Sequence, residues 1–320
     1  GWARRAGELL TVAVWTGVAV SGLAVVVWTL RVGESTDAGW AMAAMLPQVL
    51  VAAWPVAIVA AILHRWSLVI ASGALIVAQL VIAWPVLGTG GPPKATADAA
   101  RFTVGSVNLF VDNPDVDAAA SDVVEAQVDV LAVQELTPAM AAALDRAGVG
   151  DRYPYRREQA AEGTTGVGIY SRWPLVADPD GGPDGQVGVL VEVPDADPVW
   201  VVDVHVFAPQ PGDPGSWGRD LRSLDRSLDR VRGPWVAIGD YNATVSHRRF
   251  RDLLDHGRHD AHLQTGRGLA RTWPAGRAIP PLALIDHAVL SPDLVATSTA
   301  ERTVAGTDHR MIVVDLATSS

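Results

Sequence analysis

The sequence has no cysteine, which excludes disulfide bonds and thiolate metal ligands. A chain without thiols is compatible with an oxidising compartment, although many cytosolic proteins also lack cysteine. Charged residues are nearly absent between Leu9 and Leu87, and this absence excludes helices with one polar face turned to water. From Lys94 onward, charged residues return together with Gly and Pro. The composition therefore divides the chain into an apolar first part and a polar second part.

Basic residues are outnumbered in the second part of the chain. Residues 94–320 hold 21 Lys and Arg residues against 32 Asp and Glu residues, a net charge of −11. Proteins that grip nucleic acid commonly carry a basic surface that replaces the counterions released from the phosphates. The charge balance therefore disfavours nucleic acid as a partner and leaves a local basic groove as the alternative.

Three apolar stretches fill the first part of the chain: Leu9–Leu30, Met42–Leu63 and Leu68–Leu87. Each is close to the ~20 residues that a helix needs to cross a hydrocarbon layer of ~30 Å. The alternatives are helices buried in a soluble protein and, for the first stretch, a signal peptide. Neither suits three successive stretches with almost no charge and no small-residue cleavage site before the second stretch. We therefore expect residues 1–87 to anchor the protein in the bilayer as three transmembrane helices.

Cations near the ends of these stretches predict the orientation of the anchor. Arg4 and Arg5 precede the first stretch, and Arg65 lies in the short link between the second and the third. Because cytoplasmic loops are enriched in Lys and Arg, we expect the N-terminus and this link in the cytoplasm. Three crossings of the cytoplasmic membrane then place the rest of the chain outside. Residues 88–100 predict a linker rich in Gly, Pro and Ala, followed by a C-terminal domain of residues 101–320.

Short β-branched runs alternate with helix-like stretches in the C-terminal domain. Strands are expected at Phe102–Leu109, Val130–Gln134, Gly166–Tyr170, Gly188–Val193, Trp200–Phe207, Trp235–Ile238, Ala283–Leu290 and Met311–Asp315. Helices are expected at Pro114–Gln127, capped by Asn113, at Gly218–Arg232 and at His247–Asp255. This mixture predicts an α+β architecture in which two sheets pack together and helices cover the outside.

Polar side chains repeatedly stand at the ends of the apolar runs. They are Asn108, Glu135, His205, Asp240, Asn242, Asp286, Asp308 and His309. One such residue alone would be better explained as the start of a loop. Because the ends of several strands can meet over one edge of a sheet, the whole set predicts a common pocket.

These side chains suit the hydrolysis of a phosphoric ester. Asn108, Glu135 and Asp308 supply the oxygen ligands that a hard cation such as Mg²⁺ (or Mn²⁺) prefers. A His steadied by a carboxylate can activate the attacking water, and we assign this role to His309 with Asp286. The sequence therefore predicts a metal site beside a catalytic base.

The remaining polar groups are assigned to the phosphate and the water. We expect His205 to neutralise the phosphoryl or leaving oxygens, and Asp240 and Asn242 to orient the water and stabilise the transition state. Arg172 and Arg271 are expected to bind the substrate phosphate, and the alternative is that they are surface charges.

The order of the motifs along the chain resembles a known group. The motifs are Asn108, Gln134-Glu135, the stretch Gly166–Arg172 with Tyr170, His205, Gly239-Asp240-Tyr241-Asn242, Thr272-Trp273, Asp286-His287 and Thr307-Asp308-His309. This series is similar to the endonuclease/exonuclease/phosphatase superfamily, the relatives of DNase I, abasic-site endonucleases, neutral sphingomyelinases and inositol-polyphosphate 5-phosphatases. The resemblance covers about residues 101–317, with Tyr241 and Thr307 standing where Phe and Ser are commoner.

The resemblance implies a four-layered α/β sandwich of the DNase I-like kind and one or two Mg²⁺ ions. It also implies that Glu135 is the principal metal ligand, that Asp286 and His309 form the base dyad, and that Tyr170 contributes to substrate binding. In the nuclease branch a further carboxylate supports the first His. Asp203 lies too close to His205 along the same strand to be assigned this role.

The scaffold alone does not choose a substrate, but the anchor favours one class. A domain tethered outside the membrane meets lipid headgroups at high effective concentration, so a membrane lipid phosphate is the expected substrate. The layout also resembles the VanJ-type membrane phosphatases linked to teicoplanin-class antibiotic resistance, which implies a cell-envelope role on undecaprenyl diphosphate. A tethered nuclease, a sphingomyelinase-like phosphodiesterase and a non-catalytic binding module are the alternatives. No obligate protein partner is indicated.

Overall fold

The computed structural model describes residues 2–30, 36–87, 95–176, 186–209, 213 and 215–319. The loop that follows the first apolar stretch, at 31–35, and residues 88–94 of the expected linker lie outside the described residues. The chain forms two compact units. The first holds Gly1–Pro85 with the short segments Pro209–Gly215 and Ser246–Arg248, and the second holds the remainder.

The first unit consists of apolar helices. They are α1 (Trp2–Thr29), α2 (Asp37–Leu50), α3 (Ala53–Ile62) and α4 (Trp66–Leu87). Among the described residues, three helical segments are long and apolar enough to cross a membrane: Arg5–Thr29, Ala38–Ile62 and Trp66–Val86, with mean hydropathies of 2.1, 2.0 and 2.1. Many of their large side chains are exposed, as Ile70 is at 73%. Such exposed apolar surface is what lipid covers in a membrane protein.

The second apolar segment is interrupted between α2 and α3. Pro55 has no N–H, so the carbonyl of Val51 cannot receive the usual helical bond from four residues later. It accepts a bond from the N–H of Trp54 at 3.1 Å instead. The expected single helix over Met42–Leu63 is therefore two helices that follow one another through a tight turn.

In the part of the chain that the structure describes, the second unit contains two six-stranded sheets. The strands are β1 (Arg101–Asn108), β2 (Val130–Gln134), β3 (Tyr155–Gln159), β4 (Val167–Ser171), β5 (Leu175–Val176), β6 (Val187–Val191), β7 (Val199–His205), β8 (Trp235–Asp240), β9 (His259–Asp260), β10 (Asp286–Leu290), β11 (Leu294–Thr303) and β12 (Arg310–Thr318). The first sheet has the order β11-β12-β1-β2-β4-β3, and the second has the order β5-β6-β7-β8-β10-β9. Both sheets mix parallel and antiparallel neighbours.

Helices cover the sheets, and apolar side chains fill the space between them. The helices are α5 (Val116–Glu125), α6 (Pro138–Arg146), α7 (Val149–Arg152), α8 (Ser216–Leu228), α9 (Arg248–Asp252) and α10 (Ala261–Gln264). Val104 and Ile169 of the first sheet share one buried cluster with Val201 and Ile238 of the second. Leu144 of α6 joins a second cluster on the other face of the first sheet. The predicted α+β sandwich is confirmed.

Candidate active site

Five strands bring polar side chains to one edge of the sandwich. In the first sheet, β1 and β2 are parallel, and Asn108 is paired with Gln134, the residue before Glu135. In the second sheet, β7 and β8 are parallel, and His205 is paired with Asp240. β10 runs antiparallel to β8 and pairs Asp286 with the same Asp240. The register gathers these groups within each sheet, because parallel strands end at the same edge, and the packing of the two sheets brings the two sets together.

Asn108 joins the two sheets at this edge. Its Nδ2 donates to Glu135 Oε1 at 3.0 Å and to Asp240 Oδ2 at 3.2 Å, and its Oδ1 accepts from the N–H of Phe110 at 3.0 Å. Glu135 Oε2 accepts from the N–H of Val111 at 2.7 Å. Glu135 has the left-handed φ of 55°, which non-glycine residues seldom adopt, so the backbone is held in a costly turn at a charged residue.

The loop after β8 is built around Asp240 and Asn242. Asp240 Oδ1 accepts from the N–H of Asn242 at 2.8 Å, and Asn242 Nδ2 donates to the carbonyl of Val206 at 3.0 Å. Burial raises the pKa of Asp240 to about 7, with a contribution from the nearby charge of Asp286 that the charge of His309 opposes. Asp240 therefore titrates near neutral pH instead of staying fully ionised.

His287, in β10, is hydrogen-bonded to the same loop. Its Nδ1 donates to Asp260 Oδ2 at 2.8 Å, and its Nε2 donates to the carbonyl of Ala243 at 2.9 Å. Both partners are acceptors, so the ring must carry two protons and a positive charge. Burial alone would lower the pKa of His287, but the Asp260 carboxylate outweighs it and raises that pKa. The loop that carries Asn242 is thus tied to a buried imidazolium.

His309 and Asp286 form a close pair. Nδ1 of His309 lies 3.1 Å and 3.0 Å from the two carboxylate oxygens of Asp286. Nε2 lies 3.8 Å from Asp240 Oδ2 and 3.9 Å from Asp308 Oδ1. Burial alone would lower the pKa of His309, but the surrounding carboxylates, Asp286 first among them, raise it to about 10. The imidazole is therefore protonated at neutral pH in this arrangement.

Two threonine hydroxyls hold the backbone of Asp286 and His309 in place through hydrogen bonds. Thr272 Oγ1 accepts from the N–H of Asp286 at 3.3 Å. Thr307 Oγ1 accepts from the N–H of His309 at 3.1 Å and donates to the carbonyl of Asn108 at 2.7 Å. The sequence motifs included both threonines without a role, and the contacts now give them one.

His205 differs in charge from the expectation. Its Nε2 lies 3.8 Å from Glu135 Oε1, inside the cluster. Burial lowers the pKa of His205 more than the Glu135 carboxylate raises it, so the ring is neutral at neutral pH. A neutral imidazole can donate a hydrogen bond to a phosphoryl oxygen, but it does not supply the positive charge that we expected from it.

The carboxylate of Asp308 also belongs to the cluster. Asp308 Oδ2 accepts from Trp273 Nε1 at 3.3 Å and lies 3.6 Å from Nη2 of Arg277. The guanidinium of Arg277 also lies 5.6 Å from the ring of Phe110. Arg277 is exposed and belongs to a loop rich in Gly and Pro, so no sequence pattern identified this cation at the site.

The donor atoms at this edge fit a hard divalent cation. Asp240, Asp286 and His309 offer ligand atoms that all lie within 4.8 Å of one another. Asp286 already gives both oxygens to His309, so Glu135 and Asp308 are the better candidates to hold a cation. The carboxylates lie close together, and among the described residues the NH₂ group of Asn108 bridges Glu135 to Asp240. A cation relieves the repulsion between such carboxylates.

Three residues expected to bind substrate do not join this cluster. Tyr170 is fully buried on the helix-covered face of the first sheet and donates to Glu158 Oε2 at 3.0 Å. Arg172 pairs with Asp129 at 2.6 Å, at the opposite end of β2 from Glu135. Arg271 donates to carbonyls of its own loop, including that of Ala270 at 2.8 Å. This geometry corrects the assignment for Tyr170 and Arg172, and it leaves Arg271 engaged with its own backbone.

The comparisons with known proteins agree with this architecture. The sequence profile described as the Endonuclease/Exonuclease/phosphatase family matches residues 105–309. An endonuclease/exonuclease/phosphatase from Beutenbergia cavernae DSM 12333 has a similar structure, with a TM-score of 0.54 and 18% identity over 69% of this chain and 72% of that one.

Two further solved structures share the fold. A humanized D. rerio TDP2 has a TM-score of 0.54 and 16% identity over 68% of this chain and 98% of its own. An AP endonuclease from Archaeoglobus fulgidus has a TM-score of 0.52 and 16% identity over 67% of this chain and 98% of its own. A search of the curated proteins found no significant match. The profile match covers more than half of the chain, which therefore belongs to the Endonuclease/Exonuclease/phosphatase family and is a phosphoric-ester hydrolase.

Proposed function

We propose that the protein is a membrane-anchored phosphoesterase that depends on a divalent metal and hydrolyses a lipid phosphate outside the cytoplasmic membrane. The observation that carries the proposal is the meeting of Asn108, Glu135, Asp240 and His309 at one edge of a domain whose chain also contains three membrane-length apolar helices. A tethered enzyme meets headgroups of its own bilayer at high effective concentration. A polyprenyl diphosphate is the substrate we propose within this class, because the order of apolar stretches and catalytic motifs resembles that of VanJ-type phosphatases.

The site residues have two kinds of role: some bind the phosphate, and one accepts the proton of the attacking water. A divalent cation held by Glu135 and Asp308, with Asn108, would neutralise the phosphoryl oxygens and activate water. His309, kept protonated by Asp286, faces the same space with Nε2 and donates to a phosphoryl oxygen. Asp240, with its pKa of about 7, is the group that can accept the proton of the attacking water near neutral pH. We therefore move the role of base from His309 to Asp240 in this proposal.

The test compares substrates on one preparation of the full chain in lipid nanodiscs with Mg²⁺. We expect phosphate release from a prenyl diphosphate, and much slower turnover of sphingomyelin and plasmid DNA. Glu135→Gln and His309→Ala should each abolish turnover, whereas the matched control Glu192→Gln, at an exposed position, should not change it. Full activity in both site variants would remove the proposed site, and preference for DNA would remove the lipid substrate.

The orientation of the anchor is also part of the proposal. The absence of cysteine allows a single engineered thiol to report on one side of the membrane. We expect Asp197→Cys, in the C-terminal domain, to react with a membrane-impermeant maleimide in intact cells. His64→Cys, in the link between α3 and α4, should react only after the membrane is opened. The reverse pattern would contradict an extracytoplasmic catalytic domain.

A tethered nuclease is the second candidate because one helix carries a basic face. Arg219, Arg222 and Arg226 of α8 are exposed at helical spacing. Burial lowers the pKa of Arg222, and the positive charges of Arg249 and Arg226 lower it further, so these cations lie near one another. The plasmid comparison decides between the two candidates, since strong salt-dependent cleavage of DNA would favour the nuclease.

A further inference from the structure

A small polar network lies buried between the two sheets, beneath the catalytic edge. Gln134 Nε2 donates to Ser106 Oγ at 2.9 Å and to Asp203 Oδ1 at 2.5 Å. The three residues are 0%, 1% and 1% exposed in that order. The apolar cluster between the sheets, which includes Val201 and Ile238, fills the neighbouring space. The network therefore replaces hydrophobic packing at one end of an otherwise apolar interface.

This network has a cost for folding. Gln134 Oε1 finds no hydrogen-bond partner among the described residues. Burial raises the pKa of Asp203 well above its usual range, because ionisation would place a charge in the interior between the sheets. Replacing buried polar groups with apolar groups of similar volume is often neutral or stabilising. Stability of the fold therefore does not explain why the polar groups are there.

The position of the network suggests an explanation. Gln134 directly precedes Glu135, and Asp203 lies two residues before His205 on β7. Residues two apart in a strand face the same side, so Asp203 and His205 both point from the second sheet toward the first. The Gln134–Asp203 bond thus crosses between the sheets next to the point where Glu135 Oε1 and His205 Nε2 lie 3.8 Å apart.

We propose that the Gln134–Asp203 hydrogen bond is a positioning device that fixes the end of β2 against the end of β7 and so sets the distance between Glu135 and His205. Neither residue contacts the phosphate in this account. Both act through the residues that follow them on their strands. The inference rests on phosphoester hydrolysis at this edge, as in the proposed function, but not on the lipid nature of the substrate.

The experiment separates positioning from packing. The double variant Gln134→Leu/Asp203→Leu removes the bond and keeps the volume, and Asp203→Asn keeps a neutral hydrogen-bonding group. The control is Ser291→Ala, which removes a buried bond of 3.0 Å to the N–H of Trp235 at the other end of β8. Each variant of the full chain is measured for melting temperature, for kcat and KM on bis(p-nitrophenyl) phosphate and a prenyl diphosphate, and for Mg²⁺ affinity by calorimetry.

We expect the double variant to melt no lower than the wild type while kcat falls by ~100-fold and KM changes little, since misplacement by about 1 Å can cost this factor. Its Mg²⁺ dissociation constant should rise several-fold. Asp203→Asn should stay within a factor of about three of the wild type in kcat, and Ser291→Ala should lower only the melting temperature.

Other outcomes overturn the inference in distinguishable ways. Unchanged kcat and Mg²⁺ affinity in a folded double variant would make the network a packing feature. If the double variant does not fold, the single variant Gln134→Met takes its place with the same expected losses. If the wild type hydrolyses neither substrate, the proposed function fails, and the Mg²⁺ affinities alone decide whether the network positions Glu135.

Discussion

At the scale of single residues, the site is a set of polar groups that stand at one end of a buried strand. Apolar runs that end in Glu135, His205 or Asp240 can be recognised in the sequence, so these positions were predictable. The role of Tyr170 was not, because it depends on which face of β4 turns toward the helices. The charges of His205 and His309 were not predictable either, since they depend on burial and on neighbours distant in sequence.

The pair formed by Asp286 and His309 gives the first prediction. Asp286→Asn removes the charge that most strongly holds the proton on the imidazole, so the pKa of His309 should fall from about 10. Turnover should fall by ~10²- to 10⁴-fold, as when an orienting carboxylate is removed from a catalytic His. NMR titration of His309 and steady-state kinetics check both effects. Asp293→Asn, at an exposed position, is the control that should leave both unchanged.

At the scale of elements, central strands were predicted better than edge strands. β1, β2, β7 and β8 read as apolar runs because both of their faces are covered. β3 and β11 lie at the edge of the first sheet, and β3 has the letters YRREQ with mostly exposed side chains. Such strands have no apolar run to reveal them. The capping role expected for Asn113 was wrong, because its side chain bonds Leu109, Ala305 and the N–H of Asp115 in the loop before α5.

The close approach of β7 and β8 gives the second prediction. Gly239 has a φ of 152°, and a Cβ built on it would lie 2.0 Å from the carbonyl oxygen of Val204. Gly239→Ala must therefore separate the two strands that carry His205 and Asp240, so we expect a lower melting temperature and loss of turnover. Gly233→Ala is the matched control, because its φ of 78° is also positive but nothing lies within 4 Å of the added atom. Equal effects of the two changes would contradict this explanation.

The contacts of Glu301 in β11 with His262 in α10 and with Arg267 give the third prediction. Burial opposes ionisation of Glu301, but His262 at 3.3 Å and Arg267 outweigh it and lower the pKa of Glu301 to about 2. A carboxyl whose pKa is lower in the folded state stabilises the fold above its unfolded pKa, near 4.5. This contribution is lost as the pH falls from about 4.5 toward 2.

The measurement is the pH dependence of thermal unfolding followed by circular dichroism. Wild type should be more stable than Glu301→Gln above pH 5, and the difference should shrink as the pH falls to about 2. A difference that stays constant over this range would show that the pair stabilises the fold through packing and not through charge.

At the scale of the whole molecule, the chain combines an apolar helical unit with a hydrolytic domain. Three uncharged runs of membrane length were enough to predict the helices, and the order of the motifs was enough to predict the family. The substrate could not be predicted in the same way. No motif in the sequence identifies a site for a prenyl chain, and one fold serves many phosphoric esters. The proposal of a lipid substrate therefore rests on the membrane tether, and turnover of prenyl diphosphate, sphingomyelin and plasmid DNA tests it.

The central claim is that the polar strand ends of both sheets form one site, in which Glu135 and Asp308 hold a divalent ion beside the phosphate. Calorimetric titration of the full chain with Mg²⁺ tests it most directly, together with turnover of the same samples. We predict that the wild type binds Mg²⁺, that Glu135→Gln loses this binding along with turnover, and that His309→Ala keeps measurable binding but loses turnover. Undiminished Mg²⁺ affinity and turnover in Glu135→Gln would contradict the account.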